Sequence, residues 1–173
     1  MCMGHYASSG FAYPKNNRFM AIELTDNGTT RLQTSRVSVT MISMVFPHPL
    51  RFKLAWQLKS SRPVFAWRAV PPEGFIALGM ICTTNEDPPE LSALRCVPQE
   101  WCVPSKGRPR KIWDDSGAGG GRAGSIWAVN SMDLAVFVTG HDEPRENFYD
   151  LKSTRFFLNQ VAKCGSDGIL QFI

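Results

Sequence analysis

The chain lacks a long hydrophobic run, and this absence excludes a helical membrane protein. Its apolar runs, such as those from Met41 to Phe46, from Phe75 to Cys82 and from Leu134 to Val138, are all short, whereas a helix that crosses a bilayer needs about 20 apolar residues. Residues 1–17 also lack the charged start and apolar centre of a signal peptide. We therefore expect a cytoplasmic protein that does not cross a membrane.

Cysteine and histidine are scarce, and their spacing excludes the common disulfide and zinc frameworks. Five cysteines form an odd, irregular set, which suits a reducing compartment: Cys2, Cys82, Cys96, Cys102 and Cys164. A zinc site or a Cys–His catalytic pair would have to draw on Cys96, Cys102, His48 and His141, but the chain has no C-x-x-C pair and no paired histidine motif. Buried thiols are the favoured interpretation, and we predict neither catalytic residues nor a metal site.

The excess of positive over negative charge is also small. The net charge is +4 and is spread along the chain, which permits contact with an anionic surface but does not require it. A solubilising charge explains it as well. We predict no nucleic-acid partner and no small-molecule cofactor.

What the chain has in abundance is turn residues and aromatic side chains. Twelve prolines and fourteen glycines interrupt short apolar stretches rich in Phe and Trp, which favours strands joined by turns. The length of 173 residues suits one domain. We predict a flexible tail over residues 1–17, one β domain over 18–163 and a second tail over 164–173, with a short C-terminal helix from about Leu151 to Lys163.

Alternating apolar residues predict the strands. One hairpin is predicted from Arg18, turning at Asn27-Gly28 and returning, with a bulge, to Phe46. Half-buried strands are predicted over residues 52–58 and 65–69. The unbroken apolar stretch from Phe75 to Cys82 predicts a strand that is buried on both faces.

Two stretches of the chain resemble each other. The first, about 52–97, contains Trp56 and Trp67, and the second, about 111–158, contains Trp113 and Trp127. The longer spacing in the second falls in a Gly-rich stretch, where insertions cost little. We predict an all-β, antiparallel, sandwich-like domain made of two pseudo-repeats, each with a buried tryptophan pair, packed face to face.

The order of these motifs resembles a known family. The string Trp67-Arg68-Ala69-Val70-Pro71-Pro72-Glu73-Gly74-Phe75-Ile76-Ala77-Leu78-Gly79, followed by Pro88-Pro89 and Leu94-Arg95-Cys96-Val97, resembles the repeat of the vacuolar protein sorting-associated protein 62 family. The run from Trp113 through Ser125-Ile126-Trp127 is similar to repeats in the adaptor-binding region of the vacuolar protein sorting-associated protein 13 family. The resemblance implies an all-β repeat region that docks other proteins in vacuolar sorting, without catalytic residues. It also implies a location in the cytoplasm, peripheral to endosomal or vacuolar membranes. Many repeats of the family read Trp-Arg-Pro, whereas Ala69 and Val129 stand where that proline would be.

Two loops could in principle carry other chemistry. Gly119, Gly121 and Gly124 satisfy G-x-G-x-x-G, but the loop opens a strand-like segment and not the helix that a phosphate site needs. The acidic turns at 114–116 and 141–143 could offer oxygen ligands to a cation, although they lack the alternating spacing of a calcium loop. A hairpin loop and turn-capping carboxylates are the favoured interpretations.

The most concentrated basic segment contains Lys106, Arg108, Arg110 and Lys111, in a Pro-Gly context that predicts an outward loop. Such a loop could bind anionic lipid headgroups weakly, at about 1 kcal/mol per basic side chain. A solvated loop is the alternative.

For partner binding, Trp101 is the tryptophan we expect to face outwards, because it stands outside the repeat pattern. Within the repeats, Trp67, Arg68 and Trp127 are further candidates. The leading hypothesis is a protein-interaction module that receives an extended adaptor segment along a strand edge or between the repeats. The second is a lipid-headgroup binder, and an enzyme or a lectin stays open because fold alone excludes neither.

Overall fold

The computed structural model describes residues 1–8, 43–116 and 123–152. Its strands are β1 (Arg51–Leu58), β2 (Val64–Val70), β3 (Phe75–Ile76), β4 (Ile81–Thr83), β5 (Val97–Pro98), β6 (Cys102–Pro104), β7 (Arg110–Asp114), β8 (Gly124–Val129), β9 (Leu134–Thr139) and β10 (Tyr149–Leu151). Single 3₁₀ turns lie at Leu91–Ala93 and Gln99–Trp101. All strand pairs are antiparallel, which confirms the predicted all-β antiparallel class.

Two three-stranded sheets dominate the fold, one in each of the two stretches that resemble each other. The first sheet has the order β1-β2-β4 and the second has the order β7-β8-β9. We call them the first and second units. Two-stranded ribbons, β3 with β5 and β6 with β10, accompany them.

The two units share their register as well as their strand order. In the first, Trp56 lies opposite Ala66 and Leu54 lies opposite Trp67, with a bulge between Leu54 and Trp56. In the second, Trp113 lies opposite Ile126 and Lys111 lies opposite Trp127, with a bulge at the corresponding place. A bulge places one extra residue on one strand and bends it, so both outer strands bend just before their tryptophan.

A ring of main-chain hydrogen bonds joins the units to the N-terminal segment. The N–H of His5 donates to the carbonyl of Met80 (2.9 Å), that of Met80 to Ala135 (3.0 Å), and that of Ala135 back to His5 (2.7 Å). Met80 is followed by Ile81, which pairs with Trp67 of β2. In the same way, Ala135 is followed by Val136, which pairs with Trp127 of β8. Residues 4–8 therefore occupy a third position equivalent to β4 and β9.

Close approach of two glycines makes this ring possible. A Cβ atom on Gly4 would lie 2.8 Å from the Cα of Gly79, and Gly4 has a φ of 147°. Side chains do not tolerate that contact. The predicted tail over residues 1–17 thus begins with residues that bond to the body of the domain, while residues 9–17 lie outside the described ones.

Other predictions need correction or fall outside the described residues. The single strand predicted from Phe75 to Cys82 is wrong: it is divided into β3 and β4, because the chain leaves one ribbon at Ala77 to join the ring at Met80. Residues 43–45 form a helical turn where the return strand was predicted. The hairpin turn at Asn27-Gly28 and the C-terminal helix beyond Lys152 lie outside the described residues, and the pseudo-repeat boundaries stay predictions.

The main core lies between the two units. One cluster of buried side chains draws on both: Trp56, Ala66, Met80, Trp127, Val129, Ala135, Val136 and Phe137. A second cluster packs Phe46, Leu78, Val97 and Trp101 under the ribbons. Burial of this much apolar surface is the main favourable term in folding.

Candidate functional site

The tryptophans that face each other between the units differ sharply in exposure. Trp56 is 4% exposed, and its indole packs edge-on against Trp113 (ring centroids 6.0 Å apart) and stacks on Phe137 (6.3 Å). Trp113, its counterpart in the second unit, is 37% exposed. The prediction of a buried tryptophan pair in each unit is therefore confirmed for Trp56 and Trp67 in the first unit. It is wrong for the second unit, because Trp113 is exposed.

Trp56 fits because Gly124 has no side chain. A Cβ at Gly124 would lie 1.9 Å from the indole Nε1 of Trp56. The first unit thus inserts its tryptophan over the start of β8 in the second. Within the described residues, no segment packs on Trp113 as the second unit packs on Trp56.

The third position of the ring, residues 4–8, also lacks a middle strand that packs on it within the described residues. Ile81 and Val136, which follow the ring residues of the two units, are each 3% exposed because a middle strand pairs with them. Tyr6, which follows His5, is 43% exposed and forms only an isolated bridge to Leu134. We call Tyr6 and Trp113 together the open position.

Among the residues predicted to bind a partner, the tryptophans are buried. The expectation that Trp101 faces outwards is wrong, because it is 4% exposed and packs edge-on against Phe46. Trp67 and Trp127 are buried as well. Their indole N–H groups donate to hydroxyls, Trp67 to Thr83 (2.8 Å) and Trp127 to Ser125 (2.8 Å), so both serve the core.

Arg68 is partly exposed, and a carboxylate holds it in place. Its guanidinium forms a two-pronged ion pair with Glu146, in which Nη2 lies 2.7 Å from Oε1. This pair ties the first unit to the segment that leads into β10. Trp67, Arg68 and Trp127 are therefore placed as structural groups, and their role in partner binding stays a prediction.

The basic segment does not form one patch. Lys106 and Arg108 are exposed in a loop, as predicted, and make no ion pair with described residues. Arg110 and Lys111 lie in strand β7 instead, where consecutive side chains point to opposite faces. The predicted outward loop is thus wrong for these two residues.

Acidic neighbours also engage the two basic residues of β7. Arg110 pairs with Asp133 (3.2 Å) and Lys111 with Asp114 (3.2 Å), and the Lys111 ammonium lies 5.1 Å from the ring centroid of Trp127. Their charge is therefore partly compensated within the protein.

The acidic turns serve the second unit. Asp115 accepts a hydrogen bond from the main-chain N–H of Gly124 (3.0 Å), which is the larger cause of its lowered pKa, and contacts His141 Nε2 (2.6 Å). Hydrogen bonds from Ser116 and then Lys111 lower the pKa of Asp114 to about 2. Asp115 thus holds the start of β8, whereas Asp114 holds the end of β7.

The thiols of Cys82, Cys96 and Cys102 lie in surroundings that disfavour the thiolate. Burial raises the pKa of Cys82 to about 12 and that of Cys96 and Cys102 to about 11. A nucleophilic cysteine needs the opposite shift. Within the described ranges, no group of three or more His, Cys, Asp or Glu side chains lies together as metal ligands would.

The site residues that sequence reasoning missed are Tyr6, Trp113 and Gly124. The sequence shows that Trp113 in the second unit corresponds to Trp56 in the first. It does not show that Trp113 is exposed, because exposure depends on what packs beside the side chain. Gly4 to Ser8 matches Gly79 to Thr83 only in a glycine and in small or apolar residues. Such a short likeness does not stand out before the ring is seen.

Comparison with known proteins agrees with this architecture. The crystal structure of GNIP1Aa from Chromobacterium piscinae is similar over 63% of this chain, with a TM-score of 0.52 and 24% identity. The chain spans only 25% of that protein, and the likeness shows the fold alone. No curated protein matches the chain significantly.

The family model places the chain more closely. Residues 1–139 match the model of vacuolar protein sorting-associated protein 62, so the match includes both three-stranded sheets and the N-terminal segment of the ring. Within the described residues, no helix has the length and hydropathy of a membrane span. The chain belongs to the vacuolar protein sorting-associated protein 62 family, and is thereby related to vacuolar protein sorting.

Proposed function

We propose that this chain is a non-enzymatic interaction module that binds an extended segment of a partner protein, an adaptor in vacuolar sorting, at the open position. The observation that carries the proposal is the exposure of Trp113, whose counterpart Trp56 is buried against the neighbouring unit. Peptide recognition by strand addition needs an accessible strand and a pocket for one anchor.

The two units supply the template for what binds. In each unit a middle strand pairs with the strand that follows the ring residue, β2 with β4 and β8 with β9. A segment that pairs in the same way with residues 4–8 would cover Tyr6. By analogy with Trp56, which lies against the start of β8, such a segment would begin beside Trp113.

This template sets the chemistry of the bound segment. It should be extended, and it should have a glycine where Gly124 stands, because any Cβ there would collide with the tryptophan. Three residues later it should carry a large apolar side chain, as Trp127 does in β8. The segment need not be acidic, since the basic residues beside Trp113 already have acidic neighbours.

A peptide with the sequence of residues 123–129 tests the proposal directly. Added to the ¹⁵N-labelled chain, it should shift the indole N–H signal of Trp113 and the amide signals of Tyr6 and Ala7. A matched peptide that has valine in place of Gly124 should not bind, because its side chain meets the indole. Equal binding of both peptides, or shifts confined to other residues, would contradict the proposal.

Variants of the chain separate binding from folding. Trp113→Ala should abolish the shift of Tyr6 and leave the fold intact, because this side chain is exposed. Leu91→Ala is the matched control, since Leu91 is also an exposed apolar residue but lies in a 3₁₀ turn. Loss of binding in both variants would point to a nonspecific effect.

The second candidate function is weak binding of anionic lipid headgroups. Lys106 and Arg108 favour it, since both are exposed and have no acidic partner among the described residues. At about 1 kcal/mol each, they would recruit the chain only weakly. Flotation with acidic liposomes should fall with salt and with charge reversal at Arg108, but less with reversal at Arg110, which pairs with Asp133.

A further inference from the structure

A shallow cleft of about 270 Å³ lies between the end of β6, the turn from β8 to β9, and β10. Its lining combines apolar and polar side chains: Val103, Pro104, Ser105, Lys106, Asn130, Ser131 and Asp150, with Gly107 at one side. Pockets for drug-sized ligands start at about 300 Å³. The volume therefore suits a small ligand, about the size of a single ring.

The polar groups of the cleft are held in place by the fold. Asp150 Oδ1 accepts a hydrogen bond from the main-chain N–H of Ser131 (2.6 Å). Asn130, with a φ of 58°, fixes the turn through its own side chain, which accepts from Met132 (3.1 Å) and donates to the carbonyl of Leu78 (3.2 Å). The carboxylate and the turn are thus preorganised before any ligand arrives.

Three groups in the cleft have hydrogen-bonding capacity to spare. Asp150 accepts a hydrogen bond from the main-chain N–H of Ser131, and hydrogen bonds from the Ser131 and Ser105 hydroxyls also lower its pKa. A carboxylate offers about four acceptor sites, so part of its capacity remains. Lys106 makes no ion pair with described residues. The Ser105 hydroxyl, whose oxygen is buried, lowers the pKa of Asp150 by hydrogen bonding, and that oxygen accepts no hydrogen bond from described residues. A ligand hydroxyl that donates to this buried oxygen is therefore favoured.

The charges decide which ligand fits. Burial would raise the pKa of Asp150, but hydrogen bonds, chiefly from the main-chain N–H of Ser131, outweigh burial and lower it. An ionised carboxylate repels phosphate and other anions, while the ammonium of Lys106 opposes a cationic ligand. A neutral ligand with adjacent hydroxyls can donate to the carboxylate and accept from the ammonium, and its C–H face can pack on Val103 and Pro104, which are exposed.

We propose that the cleft at Asp150 binds a neutral polyhydroxyl ligand, a single sugar ring of a glycan or glycoconjugate. This site is separate from the open position at Tyr6 and Trp113 and does not rest on the proposed function. It requires no covalent step, and its residues act only by hydrogen bonding and packing.

The test uses a panel of methyl α-glycosides (mannoside, glucoside and galactoside) titrated into the ¹⁵N-labelled chain. At least one should shift the amide signals of Ser105, Lys106, Gly107 and Ser131 together. Inorganic phosphate serves as the anionic probe. Shifts of these amides by phosphate and not by any glycoside, or no shift by any glycoside, would overturn the proposal.

Two variants establish the role of the cleft. Asp150→Asn removes the charge but keeps an acceptor for Ser131, and it should weaken binding about tenfold, the equivalent of 1.4 kcal/mol. Gly107→Ala should weaken it as well without harming the fold, because a Cβ there meets nothing closer than Ser105 Oγ at 3.9 Å. Asp142→Asn, an exposed position outside the cleft, is the matched control. Binding that survives both cleft variants would show that the glycoside binds elsewhere.

Discussion

The two units have the same strand order, bulge and register, yet their outer tryptophans lie in opposite surroundings. Trp56 is buried because the second unit offers it Gly124, Phe137 and the edge of Trp113. Trp113 has the same place in its own unit, but it is exposed. The backbone position of a side chain is therefore set within a unit, whereas its burial is set by the neighbouring unit.

A second difference between the units lies in how each satisfies its inner tryptophan. The Trp67 indole donates to Thr83, whose hydroxyl donates to the carbonyl of Asn85 (2.8 Å). The Trp127 indole donates to Ser125, whose hydroxyl donates to the carbonyl of Gly140 (2.7 Å). The relay is the same, but its hydroxyl comes from the third strand in one unit and from the middle strand in the other.

The sharpest way to break the equivalence is to truncate the two outer tryptophans. Trp56→Ala should destabilise the chain by about 3–5 kcal/mol, the usual cost of removing a buried aromatic side chain. Trp113→Ala should cost less, about 2 kcal/mol, because 37% of this residue is already exposed and less burial is lost. Urea unfolding of both variants measures the difference, and equal costs would show that burial does not distinguish the units.

The fit of Trp56 into the second unit can be tested from the other side. Gly124→Ala should destabilise the chain by about 3 kcal/mol, at the upper end for overpacking, because the new Cβ falls on the Trp56 indole. Combining Gly124→Ala with Trp56→Ala should cost less than the sum of the two, because the collision disappears. Additive costs in unfolding experiments would mean that the two residues are not in contact.

The hydroxyls that accept hydrogen bonds from the inner tryptophans provide a further comparison of the two units, with smaller expected effects. Ser125→Ala should cost about 2 kcal/mol, because Ser125 is fully buried and its loss leaves the Trp127 N–H without a partner. Thr83→Val should cost about 1 kcal/mol, since Thr83 is only partly buried and water can replace it. Thermal unfolding of the two variants measures both costs. A larger cost for Thr83→Val than for Ser125→Ala would contradict the prediction.

The smallest expected effect is a dependence on acid that originates in the second unit. The pKa values of Asp114 and Asp115 are lowered in the fold. Their stabilising contribution is therefore present above the ordinary carboxyl pKa of about 3.9 and is lost as the pH falls through the folded values, toward about 2 for Asp114.

Melting temperatures across this range provide the measurement for that effect. Asp115→Asn should lower the melting temperature slightly at neutral pH. The gap from the unsubstituted chain should close as the pH approaches about 2, because protonation removes the same bonds. A gap that stays constant with pH would show that the charge of Asp115 has no part in the effect.

Local patterns in the sequence predicted the strands but not their partners. The alternation around Trp56 and Trp67 correctly predicted β1 and β2. As a middle strand, however, β2 is mostly buried instead of half-buried. The division of the stretch from Phe75 to Cys82 could not be predicted, since it depends on Ala135 and His5, far away in the chain. The prediction that Trp101 faces outwards was wrong for the same reason, because the residues around it in the sequence give no sign that Phe46 packs against it.

The ring of His5, Met80 and Ala135 has a consequence for how the chain folds. Its three members come from the beginning, the middle and the later part of the sequence, so closing it requires two long loops to form. Contacts of this kind slow folding. During synthesis the residue that emerges first must also wait until Ala135 has left the ribosome. Until then the segment around His5 and Tyr6 is an exposed strand edge, which chaperones that recognise such edges can bind.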